Sequence, residues 1–363
     1  MTMAGFDIAT QRLHNQGIVP TRLTTPGEVV RKLCAVQAQD YLAALWAIGL
    51  RAQALPTDVE VEQAIQAKEI VRTWPMRGTL HFVAAADVRW LLALLTPRVL
   101  AGAARRQQQL ELDVAILSQT EALFTKALHG RPPLTRPQMM ALLEQAGIST
   151  KEQRGYHLLW WAAQIGLICF GPRQGKQDTF VWLDDWLPPG PRLSRAEALA
   201  ELARRYFTGH GPATLQDLMW WSGLPAAEAR AGLEQVAAEL ASAVVDGQTY
   251  WFASPSASPS AAISPAYLLP AFDEYLLGYR DRSAVLDPAH ATLIVPGSNG
   301  VFKPLLVVDG QVVGTWQRTR RQTKVVVEVQ PFAALSPAHR EAAAAAAEPY
   351  GRFLGLPVDV NSS

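Results

Sequence analysis

The sequence has little of several features that define whole classes of protein. Only two of its 363 residues are cysteines, Cys34 and Cys169, and both stand in apolar surroundings, which excludes a disulfide framework and fits a reducing cytosol. It has no signal-peptide pattern and no long uninterrupted apolar span, so a cytoplasmic protein without a membrane anchor is expected. It also has no Walker loop, no dinucleotide fingerprint and no zinc-ligand spacing among its seven histidines. Metal ions and nucleotide cofactors are therefore not expected.

An excess of charge of one sign is missing as well. The chain has 33 Lys and Arg against 32 Asp and Glu, a formal net charge of +1. This balance neither demands nor excludes a nucleic-acid partner, because a DNA-binding surface can arise from segregating the charges. With 49% hydrophobic residues over this length, the chain can bury several cores, and we expect two to four small domains.

The first well-signalled helix holds two glutamines near its end. The stretch Thr25–Glu28 predicts its start, with a threonine cap, a proline at the first position and a glutamate that closes the capping box. Val30, Leu33 and Gln37 then recur at helical spacing, so the predicted helix reaches Gln37 and buries its amide. Gln39 lies about 200° further around a regular helix. The two amides therefore meet only if the helix loosens or ends there.

A plainer interpretation of these residues stays open. Most buried polar groups are simply satisfied by hydrogen bonds. On that interpretation Gln37 bonds to a neighbouring backbone group and Gln39 lies in solvent.

The order of helices and hairpins predicts tandem winged helix-turn-helix units. Helices precede a strand pair at Ile70–Trp74 and Thr79–Val83, and the same order recurs before Gly166–Phe170 and Thr179–Leu183. The predicted parts are 1–97, a first winged-helix unit with both glutamines; 98–191, a second unit and linker; 192–253, a third unit; 254–266, a linker; and 267–363, a β-rich C-terminal domain with a closing helix.

The third unit is expected to be scaffold. Its would-be recognition helix, Ala226–Leu240, holds Glu228, Glu234 and Glu239 against Arg230 alone. A helix this acidic should not enter a groove lined with phosphates, because affinity for duplex DNA comes largely from neutralising them.

The C-terminal part turns β-rich. Its predicted elements are strands at Ala291–Val295, Lys303–Val308, Val312–Gln317 and Thr323–Val329, then an alanine-rich helix at Pro337–Leu354. The predicted fold class is α+β, mainly α, with tandem winged helix-turn-helix units and a C-terminal small β-sheet or partial barrel.

Three stretches together resemble the AlkZ family of bacterial DNA glycosylases. They are Leu33–Asp40, which reads Leu-Cys-Ala-Val-Gln-Ala-Gln-Asp, Thr73–His81 and Phe272–Tyr275. Members are described as tandem winged-helix units enclosing a basic concave surface for duplex DNA. In the AlkZ branch a glutamine, small apolar residue, glutamine triplet is the catalytic motif, whereas the YcaQ-like branch has aspartate at the second polar position. Gln39 at that position matches the AlkZ branch. The resemblance spans nearly the whole chain.

The resemblance implies a monofunctional DNA glycosylase that hydrolyses the N-glycosidic bond of alkylated purines of the N7-alkylguanine type, bulky adducts and interstrand crosslinks included. The implied partner is double-stranded DNA, and a monomer is expected. An alkylated purine already carries positive charge, so its departure needs no strong general acid. Neutral amides can hold water against C1′ and steady the departing base. We expect Gln37 and Gln39 to share these tasks, with Gln37 nearer the water.

Binding then needs cations that reach phosphates. The candidates are Arg77 and His81 in the first wing, Lys303, and Arg318, Arg320, Arg321 and Lys324 in a late loop. For each of them an ordinary surface role is an equal alternative. The family is credited with an essential β-hairpin in its DNA cleft, and two turns between Pro296 and Lys324 compete for that assignment.

Other interpretations stay open at this point. Asp273 and Glu274 have either a chemical role or an ion pair with a nearby arginine. The whole chain has an alternative as a non-catalytic winged-helix transcriptional regulator, in which Gln37 and Gln39 are structural, and a partner-binding scaffold is a third possibility. The acidic third helix argues against the regulator.

Overall fold

The computed structural model describes residues 6–19, 23–254 and 264–362, and these fall into two compact units. The first unit contains the described residues up to Val61 and those from Leu199 onward, and the second unit is Glu62–Ala198. Most of the predicted linker 254–266 lies outside the described residues. The finer division into five parts stays a prediction. Within the described ranges, every helix is too short or too polar to cross a bilayer.

The N-terminal part of the first unit is helical apart from one very short strand. Its elements, the last of which runs on into the second unit, are α1 (Ile8–Asn15), α2 (Pro26–Leu33), β1 (Val36–Gln37), α3 (Tyr41–Gly49) and α4 (Asp58–Gln66). Helix α3 is almost entirely apolar and buries seven residues, from Ala43 through Gly49. It is the central helix of this part, as its composition predicts.

The second unit alternates helices and hairpins. Its elements are β2 (Ile70–Met76), β3 (Thr79–Ala84), α5 (Val88–Gly102), α6 (Ala104–Gln109), α7 (Val114–Leu128), β4 (Leu134–Thr135), α8 (Arg136–Gln145), α9 (Arg154–Gln164), β5 (Ile168–Gln174), β6 (Gln177–Trp182) and α10 (Leu183–Trp186). Strands β2 and β3 form an antiparallel hairpin, and β4, β6 and β5 form a sheet in that order. Phe124, Leu158, Phe170 and Phe180 are among the side chains of its core.

Helix α5 runs through Pro97, where the sequence predicts that a helix ends or a new segment begins. A proline inside a helix removes the hydrogen bond to the carbonyl four residues earlier, here that of Ala93. Both residues lie on the exposed side of α5. Water can therefore satisfy that carbonyl, and the helix continues to Gly102.

The C-terminal part of the first unit combines helices with strands. Its elements, the first of which begins in the second unit, are α11 (Arg195–His210), α12 (Leu215–Ser222), α13 (Ala226–Val236), β7 (Leu240–Val245), β8 (Gln248–Ala253), β9 (Ala266–Leu269), α14 (Glu274–Leu277), α15 (Ala291–Ile294), β10 (Leu305–Val308), β11 (Gln311–Arg320), β12 (Val325–Pro331), α16 (Pro337–Ala345), α17 (Glu348–Leu354) and β13 (Val358–Ser362). The β7–β8 hairpin turns on Asp246 and Gly247, as predicted.

A five-stranded sheet forms the centre of this part, in the order β13, β12, β11, β10, β9. Neighbours are antiparallel except β12 and β13, which are parallel. The strand predicted at Ala291–Val295 is instead the short helix α15, and β9 occupies the place beside β10. The predicted C-terminal helix is two helices, and Pro349 stands in the first turn of the second one.

The fold therefore mixes α-helices and β-strands, as predicted, with a small sheet in the C-terminal part. Whether each set of helices and its hairpin packs as a winged helix stays a prediction.

The sheet also fixes helix α3. The indole N–H groups of Trp46 on α3 and Trp316 on β11 donate to the carbonyls of Leu268 and Leu269 over 2.8 and 2.7 Å. Both indoles make edge contacts with the Tyr350 ring, at 5.2 and 5.1 Å between centroids. Because these side chains are buried, α3 is held rigidly against the sheet, and with it the segment that immediately precedes α3.

Candidate active site

The segment that carries the two glutamines is not helical. Helix α2 begins as predicted, with the Thr25–Glu28 capping box formed, but it ends at Leu33. The backbone of Cys34 has φ +65° and ψ −44°, and the N–H of Ala35 donates to the Leu33 carbonyl over 2.8 Å. This is a γ-turn, a rare and strained conformation for a residue with a side chain. The prediction that the helix reaches Gln37 is therefore wrong.

The pattern of burial changes where the helix stops. Helix α2 keeps one solvent-facing side, on which Arg31 is exposed. Every residue from Leu33 to Ala38 is buried, so the extended segment is covered on both faces. The γ-turn at Cys34 ends the helix and begins the extended segment.

The extended geometry brings the two amides into direct contact. The side-chain N–H of Gln37 donates to the side-chain oxygen of Gln39. In return, the side-chain oxygen of Gln37 accepts the main-chain N–H of Gln39 over 3.1 Å. These reciprocal hydrogen bonds fix which end of the Gln37 amide is oxygen and which is nitrogen. From the sequence, the two amides were expected to meet only if the helix loosens or ends. They meet here because the helix has ended.

The two glutamines differ in exposure. Gln37 is 4% exposed, whereas Gln39 is exposed to solvent. An amide has two donor hydrogens and a carbonyl oxygen with two lone pairs. Among the described residues, these mutual bonds leave both side-chain N–H donors of Gln39 and one lone pair on each carboxamide oxygen unused. The pair therefore presents donors and acceptors together, without any group that ionises.

Asp40 connects this pair to helix α3. Its carboxylate caps the helix by accepting the N–H of Ala43 over 3.0 Å. The same oxygen lies 4.0 Å from the guanidinium of Arg318 on β11. Strand β11, on which Arg318 lies, therefore passes beside the glutamine pair, within the first unit.

Behind the pair, the first unit buries two consecutive carboxylates. Asp273 forms a two-pronged ion pair with Arg51, at 2.7 and 2.9 Å, and both side chains are fully buried. Arg51 also donates to the main-chain and side-chain oxygens of Gln16. For Asp273, the interpretation as an ion pair with a nearby arginine is confirmed.

Glu274 has different partners. One carboxylate oxygen accepts the main-chain N–H of Gln37 over 3.2 Å. The other accepts the indole N–H of Trp221 over 2.9 Å and lies 3.2 Å from Nε2 of His210. Glu274 is 2% exposed, and His210 and Trp221 are fully buried. A buried carboxylate thus contacts the backbone of a predicted catalytic residue.

Two tyrosines next to this cluster are held in their neutral form. Burial raises the pKa of Tyr206 and of Tyr279 well above the ordinary value. The Tyr279 hydroxyl accepts from Gln16 and donates to the His210 carbonyl, while the Tyr206 hydroxyl donates to the Gly278 carbonyl. These hydroxyls therefore act as fixed hydrogen-bonding groups for the loop after Glu274.

The predicted basic loop is only partly a turn: Arg318 and Arg320 lie on β11, and Arg321 and Lys324 lie in the turn that leads to β12. We call residues Arg318–Lys324 the hairpin end. Arg320 lies 3.6 Å from the Asp58 carboxylate, and Lys324 lies 2.5 Å from that of Asp359. Arg321 is exposed. The hairpin end is thus cationic, although carboxylates accompany three of its four basic residues, Arg318 included.

The other predicted cations lie elsewhere. Lys303 is half-buried. Arg77 and Gly78 form the two-residue turn of the β2–β3 hairpin, with φ of +51° and +71°, and Arg77 is half-buried. His81 is fully buried, with Nδ1 3.0 Å from the Thr79 carbonyl. It offers no surface to a phosphate, so its assignment as a DNA contact is corrected.

Within the part of the chain that the structure describes, His, Cys, Asp and Glu nowhere form a group of three that could hold a metal ion. Both cysteines are buried thiols. Burial raises the pKa of Cys169 well above its ordinary value, which keeps its thiol protonated.

The sequence did not indicate the contact between Glu274 and Gln37. Its only signal was the acidic pair inside the Phe272–Tyr275 stretch, and nothing local separates the role of Asp273 from that of Glu274. His210 and Trp221 lie on helices that the sequence presents as ordinary apolar scaffold.

Comparison with known proteins adds to this geometry. A family model described as DNA glycosylase AlkZ-like matches residues 30–353, most of the chain. The chain is 28% identical over 326 residues to a protein of Streptomyces sahachiroi named interstrand DNA cross-link repair glycosylase, covering 84% of this chain and 85% of that protein. The solved structure of the Streptomyces sahachiroi DNA glycosylase AlkZ is similar in fold, with a TM-score of 0.79 and 24% identity over 99% of this chain and all of that one.

The family model spans both the glutamine pair and the glutamate behind it. The chain belongs to the AlkZ-like family, and it is a DNA glycosylase.

Proposed function

We propose that this glycosylase releases N7-alkylated purines from double-stranded DNA, bulky adducts and interstrand crosslinks included, and that Gln37 and Gln39 are its catalytic residues. The observation that carries the proposal is the contact between the two carboxamides, one buried and one open to solvent. The name of the Streptomyces sahachiroi relative, an interstrand DNA cross-link repair glycosylase, supports crosslinked DNA as a substrate.

The chemistry of the substrate suits a neutral pair. N7 alkylation places positive charge on the purine, so the base leaves without strong protonation, and the sugar passes through an oxocarbenium-like state. What remains is to hold a water molecule against C1′ and to steady the groups that separate. The free lone pairs on the two amide oxygens accept from the water, and the Gln39 N–H groups donate to the base or the sugar. An unmodified purine lacks the charge and should leave far more slowly.

The expectation that Gln37 lies nearer the water needs refinement. Because Gln37 is 4% exposed, we propose that Gln39 meets the substrate and that Gln37 orients Gln39 while offering its oxygen from behind. Single substitutions separate these roles. Gln39→Ala should remove substrate contacts, whereas Gln37→Ala should leave Gln39 present but free to rotate.

For DNA binding we propose the hairpin end. It is cationic, and Arg318 lies beside Asp40, next to Gln39. The competing turn, Asp309 and Gly310, is anchored to the unit: Asp309 is exposed, but Gly310 is buried and its carbonyl accepts the Tyr275 hydroxyl over 2.6 Å. The hairpin end is therefore the better assignment for the hairpin that enters the cleft. Arg77 and Lys303 stay candidates, and the helix and hairpin sets supply the proposed winged-helix framework.

The test uses duplexes that carry one N7-methylguanine or one N7-linked guanine interstrand crosslink. The native protein should release the base and leave abasic sites from both. Gln37→Ala combined with Gln39→Ala should lower the single-turnover rate by about 10²- to 10⁴-fold. Gln145→Ala, an exposed helical glutamine in α8, is the matched control and should keep the native rate.

Two outcomes would contradict the proposal. Full activity in the double variant would remove the catalytic role of the amides. Sequence-specific binding without base release by the native chain would favour the regulator instead.

A further inference from the structure

Glu274 is a buried carboxylate in direct contact with the candidate catalytic segment. Its Oε1 lies 3.2 Å from the main-chain nitrogen of Gln37, and its Oε2 lies 2.9 Å from Nε1 of Trp221. His210 Nε2 lies 3.2 Å from the same Oε2. The donors come from three separate segments, β1, α12 and the last residue of α11.

Keeping a carboxylate in this place is costly. Removing an ion from water carries a penalty of several kcal/mol, which hydrogen bonds must offset, and an apolar side chain of similar size often serves stability as well or better. Hydrogen bonds to charged acceptors contribute about 1.5–3 kcal/mol each. Each donor therefore helps to keep the carboxylate in place, and together they make the arrangement rigid.

Gln37 needs such support. It follows the strained γ-turn at Cys34 and lies in a strand of only two residues. Its carboxamide direction depends on its backbone, and its carboxamide in turn fixes Gln39. A displacement of about 1 Å in a catalytic group can lower a rate about 10²-fold.

The end of α11 is also pressed against the end of α2. A Cβ at Gly209 would lie 2.4 Å from the Lys32 carbonyl oxygen, so only glycine fits there. Lys32 donates to the Thr208 carbonyl over 2.7 Å. His210 is thus held next to the helix that leads into the glutamine pair.

We propose that Glu274 is a positioning residue: held by Trp221 and His210, it fixes the backbone of Gln37 and thereby aims the two carboxamides. This inference rests on the proposed catalytic role of Gln37 and Gln39. Glu274 does not touch the reacting atoms and acts through Gln37.

The main test is Glu274→Gln, which keeps the shape but replaces one acceptor oxygen with an NH₂ donor. That donor must face either the Gln37 N–H or the indole N–H of Trp221, and the facing donors lose their bond. We expect the single-turnover rate on N7-methylguanine duplex to fall about 10²-fold, while the Kd for the same duplex stays within about threefold. The amide proton of Gln37, assigned by NMR, should move upfield as it loses its carboxylate acceptor.

The matched control is Asp87→Asn. Asp87 is also a buried carboxylate that accepts an indole N–H, from Trp90 over 3.0 Å, but it belongs to the second unit. It should lose stability without a comparable loss of rate, measured at a temperature where both variants are folded.

A second variant covers the case in which Glu274→Gln does not fold. Trp221→Phe keeps a ring in the core and removes only one donor to Oε2. It should lower the rate about three- to tenfold with unchanged DNA affinity and shift the same Gln37 amide proton.

The outcomes separate this inference from the function on which it rests. An active double variant of Gln37 and Gln39 would overturn the catalytic role, whatever Glu274 does. If that double variant is inactive, then a native rate with an unshifted Gln37 proton in Glu274→Gln, or in Trp221→Phe where the first does not fold, overturns the positioning role.

Discussion

The carboxylates behind Gln37 are buried, whereas the carboxylates that pair with the hairpin end are in partial contact with solvent. Asp273 and Glu274 are almost fully buried, and each carboxylate accepts several hydrogen bonds, at 2.7–2.9 Å for Asp273 and 2.9–3.2 Å for Glu274. At the hairpin end, Arg318 and Arg320 lie 4.0 and 3.6 Å from their carboxylates and are 21% and 55% exposed. Buried pairs are strongly coupled to the fold, whereas exposed pairs contribute about 0–1 kcal/mol.

This difference matches two separate tasks. A buried carboxylate that accepts hydrogen bonds from several donors holds those donors in one geometry. An exposed arginine can exchange a carboxylate for a DNA phosphate at little cost, because its ion pair is weak and hydrated. The first unit thus has a rigid region behind the amides and an adjustable cationic region beside them.

The largest expected effect concerns the buried ion pair. Asp273→Asn leaves the Arg51 charge buried without its counter-ion and should lower the free energy of unfolding by about 3–5 kcal/mol. Asp58→Asn breaks the partly exposed pair with Arg320, whose side chains are 18% and 55% exposed, and should lower it by about 1 kcal/mol at most. Urea unfolding of both variants measures the contrast, and equal losses would remove the distinction drawn between the two regions.

The second prediction concerns DNA binding by the hairpin end. Arg321→Ala should reduce the slope of log Kd against log salt concentration by about 0.9, the value for one lost phosphate contact, and should leave unfolding unchanged. Arg230→Ala, an exposed arginine on the acidic helix α13, should not alter the slope. A slope change with Arg230→Ala but not with Arg321→Ala would mean that helix α13 contacts DNA phosphates and that the hairpin end does not.

The third prediction concerns the strained γ-turn. Glycine adopts positive φ without penalty, so Cys34→Gly should be more stable than Cys34→Ala by about 1 kcal/mol. At Cys169, in strand β5, the order should be the usual one, with alanine more stable than glycine. Thermal or urea unfolding of the four variants tests this reversal. The same order at both cysteines would mean that Cys34 stores no strain.

The smallest expected effect concerns the start of α2. Hydrogen bonds from the Thr24 N–H and hydroxyl, and from the Thr25 N–H, hold the pKa of Glu28 below its ordinary value. The stabilisation from Glu28 is therefore present above its unfolded pKa and is lost as pH falls through the lower folded pKa. The small stability difference between the native chain and Glu28→Gln should be seen at pH 7 and vanish in acid. A difference that persists in acid would mean that the cap does not depend on the ionised carboxylate.

Local signals predicted local features well. The capping box of α2, the Asp246–Gly247 turn and the hairpins of the second unit all follow from residues within a few positions of one another. The end of α2 was missed because a cysteine, not glycine or asparagine, occupies the positive-φ position at Cys34. No composition rule marks such a residue as a helix stop.

Contacts between residues far apart in the sequence could not be predicted from local sequence patterns. Gln37 and Glu274 are 237 residues apart in sequence, and only the fold shows that they touch. The burial of His81 was missed for the same reason, since a histidine in an alternating strand can face either side. The strand predicted at Ala291–Val295 failed because a short apolar run fits a strand or a helix turn equally well, and tertiary packing decides.

The first unit is assembled from two stretches of chain that the second unit separates, with Gln37 on one stretch and Glu274 on the other. A single proteolytic cut between them leaves fragments that no longer share one covalent chain, and neither fragment alone contains both groups. After such a cut, the contact between Glu274 and Gln37 depends on noncovalent packing of the two fragments alone. The order of the glutamine pair is thus linked to the integrity of the whole chain, although both groups belong to one unit.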